Sequence, residues 1–303
     1  MNNLRLFFIV IIFSFAIFLD ACKANNNGDE NNKPIITVSL IPQEWFVTRI
    51  AGDKVNISTL LSTGQNPHNY ELSPRQIAEL ASSKAWILSG TEFEISLEPK
   101  IRNMYPKLSI VNGVQGVKFR TLENHSDDDD DGEYDRHHIS NIDRHMWLGL
   151  APAKIMATHI KNTLINIDSA NTQFYQENYE KLIDEIEKDF TILKEELAPL
   201  KGKTVFVYHP SFGYFLDEFG IIQSAIETGG KEPGPQTLAS IIDHAKEENA
   251  VAIFVQAQFP IESARTIAQA INAEVVLLDP LSRNWLENIH IMGNALKKAL
   301  TED

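Results

Sequence analysis

A chain of 303 residues with 43% hydrophobic residues is long enough for two domains with cores of their own, which excludes wholesale disorder. Its net charge of -14, with nothing basic to offset it locally, excludes a nucleic-acid partner, because the field repels phosphates. The single cysteine, Cys22, excludes an internal disulfide.

The chain opens with one basic residue, Arg5, then an apolar run over residues 6–19, then Asp20, Ala21 and Cys22. A short basic head and an apolar core of about 14 residues make an export signal, too short for a membrane span. The position of Cys22 directly after this run resembles the lipobox of bacterial lipoproteins, although Asp20 stands where a small or apolar residue is usual. That resemblance implies a mature chain beginning at a lipidated Cys22, exported and anchored to the cell envelope. Residues 23–33, rich in Asn, Asp and Glu, suit a flexible tether to the anchor.

From residue 34 short apolar runs alternate with helix-like segments. Residues 35–41, 55–61, 85–89 and 108–111 are expected strands, and residues 74–83 an expected helix, capped by Ser73 and carrying Pro74 at its first position. Residues 123–138 are of another kind, with eight acidic residues against one arginine, so half the net charge of the chain lies here beside His125, His137 and His138. Such a segment builds no core; it reads either as a solvated loop or as an auxiliary metal-gathering loop. Over residues 172–197 apolar side chains recur every three or four positions without an internal Gly or Pro, which predicts one helix of about 26 residues, roughly 39 Å long. The alternation then resumes, with strands expected at 204–208, 221–226, 251–255 and 275–278 and helices at 235–246 and 261–271. The expected fold is α/β: a first lobe over 34–170, a linking helix over 171–198 and a second lobe over 199–303, each lobe holding a four-stranded parallel sheet.

Four residues stand out on this framework. His68 lies in the proline-framed loop after the second strand, His209 ends the first strand of the second lobe, and Asp279 ends its last strand. Ligands in open α/β sheets bind beyond the carboxyl ends of strands, so these three share one edge. His145, just before the linking segment, is placed to reach a cleft between the lobes, where small ligands commonly bind. Three imidazoles and one carboxylate suit a four-coordinate divalent transition metal, with zinc first. Glu71, three residues past His68, reads as an acid that orients a ligand.

The motifs carrying these residues are a Gly64-x-x-Pro67-His68-x-Tyr70-Glu71 loop, an Asp143-x-His145-x-Trp147-Leu148 run, the segment from His209 through Phe215, and Asp279-Pro280-Leu281. In this order they closely resemble the zinc/manganese substrate-binding lipoproteins of ABC importers, the ZnuA-like family, over residues 34–300. The resemblance implies that His68, His145, His209 and Asp279 hold the metal between two lobes joined by a rigid helix. It also implies a monomer that delivers the ion to a membrane permease, with no chemical transformation. His209 stands where manganese receptors of the family typically carry Glu, which favours Zn2+, although Mn2+ is also accepted by members with three His and one Asp. Arg144 and Gly149 depart from the commonest residues of the family at their positions. The readings of another class are a zinc hydrolase, for which no His-Glu-x-x-His occurs, and an adhesin that keeps the metal for stability.

Overall fold

The computed structural model describes residues 33–122, 142–227, 233–259 and 261–301. The signal, the tether with Cys22, and the acidic run with His125, His137 and His138 lie outside the described residues. In the first lobe, strands β1 (Ile35–Val38), β2 (Asn56–Thr59), β3 (Ala85–Leu88) and β4 (Ser109–Asn112) form one parallel sheet in the order β2-β1-β3-β4. A two-stranded antiparallel ribbon follows, β5 (Arg120–Thr121) with β6 (Ile142–Asp143). In the second lobe, β7 (Thr204–Val207), β8 (Ile222–Ala225), β9 (Ala252–Gln256) and β10 (Glu274–Leu278) form a second parallel sheet in the order β10-β9-β7-β8. Both lobes therefore wind alike: the second strand lies on one side of the first, and the third and fourth on the other.

Burial explains the strand sequences. The inner strands are covered on both faces and read as continuous apolar runs, such as Ala252 to Val255, all buried. The edge strands are partly open and carry polar residues, as at Asn56, Ser109 and Glu274. Every strand expected from sequence is present, with ends displaced by at most three residues.

Helices α1 (Ile41–Ala51), α2 (Pro74–Ala81) and α3 (Glu92–Met104) belong to the first lobe, and α4 (Leu150–Ile167) leads from it to the spine, α5 (Thr172–Glu196). The second lobe adds α6 (Gly213–Asp217), α7 (Pro235–Glu247), α8 (Glu262–Ile271) and α9 (Trp285–Thr301). The α2 cap is as expected: Ser73 Oγ accepts from Gln76 N at 3.3 Å, with Pro74 first in the helix. Helix α5 spans 25 residues and buries Tyr175, Leu182, Ile186, Phe190 and Leu193 along one stripe. That stripe packs on α1 from the first lobe and on α9 from the second. Polar contacts repeat the arrangement, with Arg49 paired to Glu185 and His290 Nε2 3.0 Å from Asp189 Oδ2. Trp285, at the start of α9, packs its ring against Trp45 and Phe46 of α1 and Phe190 of α5. One apolar core thus runs through both lobes. Among the described residues no helix is long and apolar enough to cross a membrane.

Candidate metal centre

The β2 strand hands over to the His68 loop through an anchored turn. Tyr70 Oη donates to Leu60 O at 2.5 Å and Gln76 Nε2 donates to the same carbonyl at 2.7 Å, so the loop is tied back to the sheet from both ends. Asn66 Oδ1 accepts from His68 N at 2.9 Å and opens a single 3-10 turn over Pro67–Asn69. His68 projects from this turn toward the second lobe.

His209 follows β7, and its neighbours come from sheet register. Val207 pairs with Ala225 on one side and with Phe254 on the other, so two residues further His209 lies between Glu227 and Gln256. Glu227 Oε1 is 2.6 Å from His209 Nδ1, while the Gln256 amide accepts from His209 N at 3.3 Å and donates to His209 O at 2.5 Å. Phe259 stacks on the imidazole at 4.5 Å and 19°. His145 is fixed by the residue two before it: Asp143 Oδ1 accepts from His145 N and lies 2.9 Å from His145 Nδ1 as well.

The three rings meet in the cleft. Their centroids are 4.6 to 5.3 Å apart, and one ligand nitrogen from each falls within 4.8 Å of the others. His145 Nε2 and His209 Nε2 approach to 3.2 Å. Two ligands of a tetrahedral zinc at about 2.05 Å stand about 3.3 Å apart, so this spacing is that of a coordination edge. His68 Nε2 is buried with no hydrogen-bond partner among the described residues, an orphaned acceptor pointing into the same space. His68 is also the most open of the three, its side chain 28% exposed against 7% for His145 and 9% for His209, so it faces the mouth of the cleft.

Behind each imidazole sits a carboxylate on Nδ1: Asp143 for His145, Glu227 for His209, and Glu92 Oε2 at 3.3 Å for His68. This arrangement leaves Nε2 of each ring for a cation and makes the nitrogen a stronger donor. Burial, together with the neighbouring His145 and His68 rings, pushes His209 well below the usual imidazole range, so its lone pair is free at neutral pH. Burial pushes the Glu92 carboxyl up, but the nearby His68 and His145 imidazoles outweigh this and hold it below the usual range.

Two of the expected residues lie apart from this cluster. Asp279 is not among the clustered ligand atoms: its Oδ1 accepts from Gln258 Nε2 and from Leu281 N, both at 3.0 Å, in the turn that Pro280 opens. Glu71 is exposed on the loop beyond the 3-10 turn, and the acid beside His68 is Glu92, brought there by the N-terminus of α3. The three supporting carboxylates were not singled out from the sequence. Glu227 is legible once β7 and β8 are known to be neighbours in register, and Asp143 by its spacing of two before His145; Glu92 carries no such signal. The remaining described histidines are engaged elsewhere: His159 Nε2 lies 2.9 Å from Gln115 O, His244 packs edge-on against Phe206, and His290 pairs with Asp189.

Two like-wound α/β lobes closing on three imidazoles, each with a carboxylate beside it, define a two-lobed metal-binding protein. Residues 36–299 match the family described as ZnuA, zinc-uptake complex component A, periplasmic, and the chain belongs to that family. It is 28% identical over 262 residues to the high-affinity zinc uptake system protein ZnuA of Yersinia pestis, covering 81% of this chain and 82% of that one. It is 24% identical over 278 residues to the manganese ABC transporter substrate-binding lipoprotein PsaA of Streptococcus pneumoniae, covering 88% and 86%. A crystal structure of ZnuA superposes with a TM-score of 0.79 at 32% identity, covering 88% of this chain and 99% of the other. The family consists of periplasmic metal-binding transport proteins, not enzymes, and the hydrolase reading falls with it.

Proposed function

We propose that this protein captures Zn2+ outside the cytoplasm and delivers it to the permease of an ABC importer, acting as a monomer held to the membrane by a lipid on Cys22. The observation that carries the reading is the convergence of three imidazoles, one ring nitrogen from each of three separate chain segments, with a carboxylate beside every ring. His68, His145 and His209 are the metal ligands. Asp279 is the fourth, reaching the ion by a side-chain rotation that exchanges its bonds to Gln258 and Leu281 for the metal. Zinc is favoured over manganese because imidazole nitrogens suit zinc, whereas manganese prefers hard oxygen ligands. The second reading, a manganese receptor, is kept by the likeness to PsaA.

The deciding experiment uses the soluble chain beginning after Cys22, equilibrated with equal limiting zinc and manganese, dialysed, and assayed for metal by elemental mass spectrometry. One zinc per chain, lost in His209→Ala, is the expected result. One manganese overturns the metal assignment and keeps the site; no retained metal overturns the receptor reading and leaves an adhesin-type interaction protein.

A further inference from the structure

Arg120 lies outside the three-histidine cluster, yet its side chain joins the lobes at one of the proposed ligands. It stands in β5, paired across the ribbon with Asp143, the residue whose Oδ1 holds both the backbone and the ring of His145. Arg120 Nη1 is 3.3 Å from Asp143 Oδ2, the oxygen that His145 does not use. On its other side Arg120 Nε donates to Asp217 Oδ2 at 2.9 Å, at the end of α6 in the second lobe. Tyr214 of α6 closes the circuit on the backbone, accepting from Arg120 N at 2.8 Å and donating to Asp143 O at 3.1 Å. Asp143 is fully buried and Arg120 only 13% exposed at its side chain, so the contact is largely screened from water.

Gly213 supplies an independent observation. A Cβ at this position would collide with the Arg120 guanidinium, which lies flat against the glycine backbone. Gly213 begins α6, four residues after His209, and its φ is not positive, so helical geometry does not demand glycine there. The glycine in the segment from His209 to Phe215 leaves the room the guanidinium occupies, and a Cβ there would displace it from its seat between the ribbon carrying Asp143 and the element that follows His209.

We infer that Arg120 is a positioning residue of the metal site: seated on Gly213, it holds Asp143 so that the carboxylate turns His145 Nε2 toward His209 and keeps two ligands from different lobes in register. The inference rests on the proposal that His145 and His209 bind the metal. A fork with two donors is needed to engage Asp143 and Asp217 together, which a lysine cannot reproduce. Removing the orienting partner of a metal-ligating histidine typically lowers metal affinity about 10–100-fold.

The test compares wild type, Arg120→Gln, Arg120→Lys, Gly213→Ala and the Arg120→Gln/Gly213→Ala pair, all in the full soluble chain. Zinc affinity is read by chelator competition, the ligand field by the visible spectrum of bound Co2+, and folding by thermal unfolding without metal. The expected result is a loss of zinc affinity in both Arg120→Gln and Gly213→Ala, bounded by the about 10–100-fold that removing Asp143 itself would cause. The Co2+ spectrum changes in both, Arg120→Lys restores little, and the double variant is no worse than either single one, because both remove the same contact. Variants that melt earlier yet bind zinc and Co2+ as wild type does overturn the inference and leave Arg120 a structural tie. Additive losses in the double variant also overturn it. Should His145→Ala bind zinc as tightly as wild type, the ligand assignment itself fails, an outcome distinct from either.

Discussion

Each of the three imidazoles has a carboxylate beside Nδ1, which leaves Nε2 for the cleft, and the closeness of that contact differs. Glu227 is 3% exposed at its side chain and 2.6 Å from His209 Nδ1, whereas Glu92 is 41% exposed and 3.3 Å from His68. The buried pair orients its ring more firmly, so Glu227→Gln, which keeps the shape and removes the charge, is expected to lower zinc affinity about 10–100-fold while the protein still folds. Chelator competition measures it, and an unchanged affinity would show that the stacked Phe259 ring alone holds His209 in place. The pH dependence has a definite sign. An imidazole must be neutral to bind metal, so binding releases any proton it carried, and affinity falls as the solution becomes more acid. Burial and the flanking rings hold His209 well below the usual imidazole range, so this ligand yields to protons late. Zinc affinity is therefore expected to fall as the pH is lowered from about 7.5 to about 5, because protons compete for the imidazole nitrogens; an affinity constant over that range would contradict a site built on histidine. At this scale the three clustered histidines are legible and their supports only partly so, since His68, His145 and His209 lie in marked loops whereas Glu92 reaches His68 only through the packing of α3. Asp279 was legible as a residue at a strand end, but the bond it makes to Gln258, from the loop after β9, could not be read from either segment.

The elements themselves follow from short-range patterns. Inner strands such as β7 (residues 204–207) and β9 are uninterrupted apolar runs, and α5 shows its stripe in the spacing of Tyr175, Leu182, Ile186, Phe190 and Leu193, so these were legible directly. The β5–β6 ribbon was not, because two residues a strand carry no period; it exists because Arg120 and Thr121 meet Asp143 and Ile142 across the chain, and Tyr214 fastens it from the other lobe. The spine earns its place through Phe190, 4% exposed, stacked between Phe219 and Trp285. Phe190→Ala removes a ring that both α9 and the turn after α6 lean on, and is expected to cost about 3–5 kcal/mol of stability. Urea unfolding followed by tryptophan fluorescence measures it. Because Trp45 and Trp86 lie in the first lobe and Trp285 in the second, the variant is expected to lose both lobes in one transition at lower urea. Two separated transitions would mean that α5 supports only one of them.

Over the whole molecule, what matters is whether the cleft opens. Many two-lobed receptors close around a ligand by bending at extended crossover strands, but here the lobes share a continuous core and are backed by one helix. Separating them would withdraw Trp285 from Trp45, Phe46 and Phe190. A tryptophan buries roughly 150–250 Å2, and at about 25 cal/mol per Å2 its exposure alone costs about 4–6 kcal/mol. That confines an open state to below about one molecule in a thousand before any other contact is counted. The ligands are tied to the same frame: Trp147 Nε1 donates to Pro280 O and Trp285 Nε1 donates to Trp147 O, both at 2.7 Å, so the loop of Asp279 and the turn of His145 share one tryptophan ladder. A site preformed in this way is expected to bind by small side-chain movements, such as the proposed rotation of Asp279, and not by closure of lobes. Small-angle X-ray scattering of the soluble chain is therefore expected to give the same radius of gyration with and without zinc. A contraction on adding metal, abolished in His145→Ala, would show that the shared core yields and that the permease is offered a change of shape. An unchanged profile leaves the permease to distinguish loaded from free protein by the surface around the cleft mouth, where His68 is the proposed ligand nearest solvent.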